Sequence, residues 1–437
     1  MSATTLDEQR SSSAQTSLSP RLWTGLILLG FAGQLAWGVE NQFFNTFMFD
    51  RIIPDPRPIS WMVAASAVTA TLTTILMGTL SDRSRGRWGR RKPFILFGYL
   101  AWGIFTALFP SAAFFRPVAL AIGAAILFDC VMTFFGSTAN DAALNAYITD
   151  VTHLNNRGRV VAVIEILTWV AILIVYGGAG LIIQAWDYFT FFYLIGGLVF
   201  ALGLVGGVLI QDAPVTTAPS GSYWGQIAES FRWQSLLANR DFFLVLLGIS
   251  FWAVAQNIFF PYLIIYLQHY IQLETLSASL LIAVAILVGG ILVSYPLGLL
   301  VDRWGRRRVA LLAVAGEMLG LLLFSLARSF AALVITGILW LAPLTAWTIA
   351  TGAWSKDLFP EDKRGQFAGY YLLFWVAIPM VLGPLTGGWL ATRFGIPTVI
   401  DGQPGFIPTP VLFQAAALGT LLAALPLWRA RPRQELE

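Results

Sequence analysis

Five carboxylic acids stand inside long apolar stretches of this chain: Glu40, Asp129, Asp141, Glu165 and Glu317. An ionisable group at bilayer depth is costly and is usually kept for function. None of the five has a basic residue in its own stretch to pair with. A carboxyl group without a counter-cation in a low-dielectric setting suits reversible protonation, which is the chemistry of a proton-driven carrier. Neutral amides surround Glu40: Gln34, Asn41 and Asn45 share its helix face, Gln42 follows, and Trp37 lies at the edge. Amides beside an aromatic ring suit a sugar, bonding its hydroxyls while the ring face stacks. The same groups also serve as ordinary interhelix contacts, with the tryptophan enrichment normal in membrane proteins.

The elements that carry these residues are helices. Of the 437 residues, 57% are hydrophobic and 11% charged, a balance foreign to soluble domains. Apolar runs at 22–49, 59–80, 93–113, 118–149, 160–184, 188–210, 241–268, 277–300, 309–327, 330–355, 366–391 and 409–428 are each read as one span. The expected fold class is therefore an all-α membrane protein of twelve transmembrane helices. The runs are continuous rather than alternating, which excludes a β-barrel. The net charge of +4 does not signal nucleic acid. With both termini in the cytoplasm, roughly 22 basic residues fall on that side and about five outside, so the excess is topological. Cys130 is the single cysteine and forms no internal disulfide. The first apolar run is too long for a cleaved signal region.

Helix 4 is the richest in polar groups. Asp129, Asn140, Thr133, Ser137, Asp141, Asn145 and Thr138 spread across about half its circumference, too wide an arc to face lipid. Asp141 lies roughly 13 Å from the inner end of that helix, and Asp129 about 18 Å further out. Structural hydrogen bonding to neighbouring helices remains an alternative for both. Glu165 stands near the inner interface, and pairing is the expected role for it and for Glu317.

The chain repeats itself. Trp37-Gly-Val-Glu40-Asn41-Gln42 resembles Trp252-Ala-Val-Ala255-Gln256-Asn257. Gly78-Thr-Leu-Ser-Asp82-Arg83, ending in Gly89-Arg90-Arg91-Lys92, resembles Gly298-Leu-Leu-Val-Asp302-Arg303, ending in Gly305-Arg306-Arg307-Arg308. Asn145-Ala-Tyr147-Ile-Thr-Asp150 with Arg157-Gly158 resembles Gly352-Ala-Trp354-Ser-Lys-Asp357 with Arg364-Gly365. The three matches keep their order, which implies two six-helix halves with a binding site between them and alternating access. The expected organisation is a disordered N-terminus at 1–20, bundles at 21–210 and 241–428, a linker at 211–240 and a tail at 429–437. Residues 224–237 suit an amphipathic surface helix. Symmetry fails at the acids: Ala255 matches Glu40, Thr348 matches Asp141 and Thr336 matches Asp129. That places coupling in the first half, through Asp141, Asp129 and Glu40. Substrate contacts are expected from Trp37, Asn41, Gln42, Asn45, Asn145, Trp252, Gln256 and Asn257.

The two-half layout and the loop Gly-x-x-x-Asp-Arg…Gly-Arg-Arg resemble the major facilitator superfamily. The longer form Ser81-Asp82-Arg83…Trp88-Gly89-Arg90-Arg91-Lys92-Pro93-Phe94, with Glu40 and Asp141…Tyr147…Asp150, resembles its sucrose-transporter and glycoside–pentoside–hexuronide symporter branches. The resemblance implies a cytoplasmic lock that closes in the outward-facing state. Its expected members are Asp82, Arg83, Asp150, Arg157, Asp302, Arg303, Asp357 and Arg364. The acids of the basic loops are expected to pair with Arg83 or Arg157 and their equivalents, and the other loop arginines to serve topology and lipid headgroups. Helix 2 has no acid before Asp82, where sodium-using relatives carry carboxylates, so the proton is preferred over sodium as coupling ion.

His153 and His269 read as solvated loop residues, and the paired glycines at 177–180 and 289–290 as close helix packing. Pro379 and the run Gly383-Pro384-Leu-Thr-Gly387-Gly388 are expected to kink helix 11. No phosphate-cradling GxxxxGK[ST] and no HExxH occur, and no nucleophile–base set points to an enzyme. The expectation is a monomeric cell-membrane symporter for a small molecule, a sugar or glycoside, coupled to protons and without cofactor. The alternatives are a proton-coupled exporter of drugs or metabolites and a non-transporting sensor on the same scaffold.

Overall fold

The computed structural model describes residues 18–152, 154–212, 237, 239–358 and 364–431, without the side chains of 154–158, 161, 364–366 and 368. Among the described residues, twelve helices are long and apolar enough to cross a membrane. They are α1 (Pro20–Ile52), α2 (Pro56–Arg83), α3 (Lys92–Phe114), α4 (Val118–Val151), α5 (Ala162–Ala185), α6 (Tyr188–Leu209), α7 (Arg240–Tyr270), α8 (Thr275–Trp304), α9 (Arg306–Leu326), α10 (Phe330–Asp357), α11 (Gly369–Arg393) and α12 (Val411–Arg429). Several starts follow from local chemistry. Ser19 accepts the Leu22 N–H ahead of Pro20, and Asp55 accepts the Arg57 N–H ahead of Pro56. Asp187 accepts the Thr190 N–H at 2.7 Å, and that bond holds its carboxyl below the usual carboxylate range.

Packing repeats with a period of six helices. In the first half α1 packs on α5 and α6, α2 on α4, and α3 on α4 and α6. In the second, α7 packs on α11 and α12, α8 on α10, and α9 on α10 and α12. Adding six to each number of the first set gives the second. The contacts between halves obey the same rule, since α2 meets α11 and α5 meets α8. The expected amphipathic segment lies outside the described residues apart from Leu237, as do His153 and most of the linker.

Between α11 and α12 the chain forms a hairpin, β1 (Ile396–Ile400) against β2 (Gln403–Ile407), paired from Ile396↔Ile407 to Ile400↔Gln403. Asp401 and Gly402 make its turn with φ of 49° and 77°, the two left-handed residues that a tight hairpin requires. The hairpin reaches across to the first half: Phe406 N–H donates to the Pro54 carbonyl at 2.8 Å. On the same face His269 Nε2 meets Asp50 Oδ1 at 2.7 Å, and Tyr188 donates to Asp50 Oδ2 at 2.5 Å. His269 is therefore a link between halves and not a solvated loop residue, because α7 extends far enough to bring its ring onto Phe49, 4.9 Å between centroids.

At the opposite face, which carries the basic loops, the described ion pairs stay within one half. Gly89 and Gly305 turn both loops with φ of 97° and 85°, and the arginine after each reaches the end of α4 or α10. Arg90 pairs with Asp150 at 2.5 Å, and Arg306 pairs with Asp357. Asn145 on α4 and Thr348 on α10 are exposed. The molecule is closed at the hairpin face and open at the basic-loop face.

Candidate functional site

Between the halves lies a cavity of about 280 Å³. One wall is the amide face of α1, with Gln34, Asn41 and Gln42 beside Trp37. The rest of the lining is apolar, with Trp169 and Tyr176 from α5, Phe260 from α7, Phe324 from α9 and Trp340 from α10 set among aliphatic side chains such as Leu281, Ile282 and Leu341. Among the described residues no charged side chain lines it. Gln42 Nε2 donates to the Phe260 carbonyl at 2.7 Å, closing the cavity toward the hairpin face. Two buried polar atoms at this cavity have no partner, Gln42 Oε1 and Trp340 Nε1. Both atoms are buried in the wall rather than open to the cavity.

A small chamber of about 20 Å³, room for one water, adjoins this cavity at Asn41 and Phe260. Glu40, Asn45, Ser66 and Asp129 line it from the first half; Asn257, Pro261 and Met380 line it from the second. Glu40 Oε1 accepts from Ser66 Oγ at 2.6 Å and from Thr133 Oγ1 at 3.0 Å. The Asp129 carboxyl lies within hydrogen-bonding reach of Glu40. A hydrogen bond between two carboxyl groups needs a proton on one of them, because a carboxylate only accepts. Glu40 Oε2 and Asp129 Oδ1 are buried without a donor.

Asp141 sits apart from this pair. Ser137 donates to its Oδ2 at 3.1 Å, Asn140 to its Oδ1 at 2.9 Å, and Trp37 approaches the same carboxyl. Asn140 is itself held by Tyr99, whose hydroxyl donates at 2.9 Å. The helix around these acids is not regular. Residues Glu40–Phe44 and Ser137–Leu144 form π-helical turns, whereas α10 runs without one from Phe330 to Asp357. A π turn adds residues to the helix and is a frequent mark of functional positions. It shifts the faces that follow it, while Asp129 and Asp141 already meet different partners because about 18 Å of helix separates them.

The second half departs from expectation. Trp252 and Gln256 do not line the cavity; both donate to Glu317, the indole at 2.6 Å. Asn257 reaches the small chamber, although its amide donates to the Ala253 carbonyl at 2.8 Å. Glu317 therefore has neutral donors rather than a charged partner. Glu165 is exposed. Asn145 is exposed on the open face, and its amide donates to the Asp141 carbonyl at 3.2 Å.

The charge network also differs from its expected form. Asp82 pairs with Arg91 at 2.5 Å, not with its neighbour Arg83. Arg91 also donates to Ser81 Oγ at 2.7 Å and Asp150 at 3.1 Å. Arg90 and Arg91 are thus the centre of this network, not headgroup contacts, because the Gly89 turn folds them back over α2 and α4. Asp302 and Arg303 are exposed. The side chains of Arg157 and Arg364 lie outside the described residues.

The family model described as Major Facilitator Superfamily matches residues 22–297 and 281–437. The chain belongs to the major facilitator superfamily. It is 27% identical over 208 residues to the uncharacterized MFS-type transporter YfkF of Bacillus subtilis (strain 168), covering 46% of this chain and 50% of the relative. It is 26% identical over 160 residues to solute carrier family 45 member 4 of Mus musculus, covering 34% and 20%. These alignments span about half of one curated relative and a fifth of the other. Its fold is similar to that of a mutant of the nucleoside transporter NupG, with a TM-score of 0.71, 14% identity and coverage of 94% and 99%. A bacterial homologue of the human lysosomal transporter Spinster, in an inward-facing unoccupied conformation, gives 0.62, 16% identity and coverage of 94% and 95%. This member of the superfamily is a multi-pass protein of a cell membrane.

Proposed function

We propose that the protein imports a neutral glycoside together with protons. The observation that carries this is the division of labour between two adjoining spaces. The larger cavity has amides and Trp169, Tyr176 and Trp340 set in an otherwise apolar lining, and no charge among its described lining residues. It suits a ring compound with hydroxyls along one edge and an apolar face. The smaller chamber holds Glu40 and Asp129 at the junction of the halves. A proton shared by these two carboxyl groups relieves their repulsion between α1 and α4 and lowers the charge that must be buried when the second half closes over the chamber. Movement of the halves about this junction then couples proton to solute.

The positive-inside rule assigns the basic-loop face to the cytoplasm. The closed hairpin face is then outside, and the described state faces inward. Asp82, Asp150 and Asp357, held within their halves by Arg90, Arg91 and Arg306, become free to cross-link the halves when that face closes.

A nucleoside is a second reading. Trp169 and Trp340 supply flat faces for a base, and NupG, to which the fold is similar, is a nucleoside transporter. The test is uptake into proteoliposomes of sucrose, maltose, phenyl glucosides, uridine and adenosine, with and without an inward pH gradient. Accumulation of a glycoside only with the gradient supports the first reading; accumulation of uridine or adenosine alone supports the second. Gradient-driven expulsion of unrelated organic cations would replace both with an exporter.

A further inference from the structure

Glu317, on α9, lies outside both spaces and is 0% exposed. Its oxygens take two N–H groups from α7: Trp252 Nε1 donates to Oε2 at 2.6 Å, and Gln256 Nε2 donates to Oε1. Trp252 is held between Trp347, 5.3 Å and 18° away, and Trp375, 5.9 Å and 10° away, so its indole is fixed. Charged groups on the surrounding helices stand near the helix ends. They are Arg240 and Asp241 on α7, Asp302 and Arg303 on α8, Lys356 and Asp357 on α10, Arg393 on α11 and Arg429 on α12. On α9 itself Arg306, Arg307 and Arg308 begin the helix and Arg328 follows its end, about 16 Å from Glu317 for Arg306 and Arg328. The other titratable groups there are His269, Tyr262, Tyr266, Tyr270, Tyr295, Tyr370 and Tyr371.

The repeat gives this arrangement a counterpart. Trp252 matches Trp37, and Trp37 approaches the Asp141 carboxyl. Each half therefore brings its equivalent tryptophan to an acid within the spans, from α4 in the first and, fully buried, from α9 in the second. Position-by-position comparison of the halves looks for the second acid at Thr348 and misses it.

We propose that Glu317 is a second proton-binding site, serving the last six helices as the Glu40–Asp129 pair serves the first six. This rests on the proton-coupled reading above. As a carboxylate, Glu317 accepts both N–H groups. A proton arriving at Oε1 forms an O–H bond there and displaces the Gln256 N–H. The Gln256 amide turns over, and its carbonyl accepts the new O–H, while the Trp252 bond to Oε2 persists. Loss of the proton reverses each step. The protonation state of Glu317 thus sets which pole of the Gln256 amide faces away from α9, next to Asn257 and the chamber.

The test is pH-difference infrared spectroscopy of the protein in lipid without any solute, the proton being the probe. Glu317→Gln is expected to remove one component of the protonated-carboxyl stretch that Glu40→Gln leaves in place. Trp252→Phe keeps the acid and is expected to shift the pH midpoint of that component, which decides the matter if Glu317→Gln does not fold. In uptake of the panel glycoside that wild type accumulates, Glu317→Gln is expected to lower the gain per pH unit from about 100-fold to about tenfold, one proton's worth. Glu317→Gln and Trp252→Phe spectra matching wild type overturn the proposal even where uptake is proton-driven. Loss of the component without proton-driven uptake keeps the site and removes the transport reading.

Discussion

Substituting Gly405 by alanine is expected to open the hairpin face. A Cβ at this position would stand 1.7 Å from the Pro54 carbonyl oxygen and 2.4 Å from its carbon. Both obstacles are backbone, so no change of rotamer relieves them. The hairpin must lift, and Phe406 then loses its 2.8 Å bond to the same carbonyl. The hydrogen bond is worth about 1 kcal/mol, and overpacking of this kind costs about 1–3 kcal/mol. The closed outer face is therefore disfavoured by about 2–4 kcal/mol, a shift of about 30- to 1,000-fold in the balance between states. Spin labels at Trp186 and Leu326, exposed sites at that face on the first and second halves, report the balance by double electron–electron resonance after Cys130 is replaced. Gly405→Ala should move the distance distribution toward longer values. A distribution equal to that of wild type, in a folded protein, would refute the role given to the hairpin.

Asp50→Asn keeps an acceptor for Tyr188 but loses the charge facing His269; the same label pair should open by about 5- to 30-fold, from a charge-assisted bond of about 1–2 kcal/mol. Arg91→Ala removes the contacts to Ser81, Asp82 and Asp150; because the acids are 45% and 23% exposed, the loss is about 1–3 kcal/mol, read as a lower thermal midpoint in lipid. Trp340→Phe keeps the aromatic wall and deletes its unpaired N–H. Because that N–H is buried away from the cavity space, affinity for a transported glycoside should hold and stability should hold or rise by about 1 kcal/mol, read as the thermal midpoint in lipid.

The spans and the repeat were legible because they rest on apolar length and on order in the chain. The adjoining acids were legible as candidates, but their grouping was not. Which carboxyl meets which depends on how α1, α2 and α4 pack around Ser66 and Thr133, and no residue type announces that packing. Ser66 was missed because a lone hydroxyl in a small-residue run looks like packing. Trp252 and Gln256 were read as substrate contacts by analogy with Trp37 and Asn41, and the analogy failed because Glu317 on α9 has no acidic counterpart in the first half. The hairpin did have a signal. Asp401-Gly402 between short apolar runs is a two-residue turn sequence, overlooked beside the longer helical patterns. Arg91 could not be told from its basic neighbours, since its role depends on the direction in which the Gly89 turn sends the chain.

The most direct test of proton coupling is the pH of a lightly buffered medium around proteoliposomes when the accumulated glycoside is added. Entry of protons with the solute should make the medium alkaline at once; Glu40→Gln should weaken that signal, and Glu40→Gln together with Glu317→Gln should abolish it while retaining exchange of labelled for unlabelled glycoside. Uptake with no change in external pH, or uptake that follows sodium instead, would contradict the account.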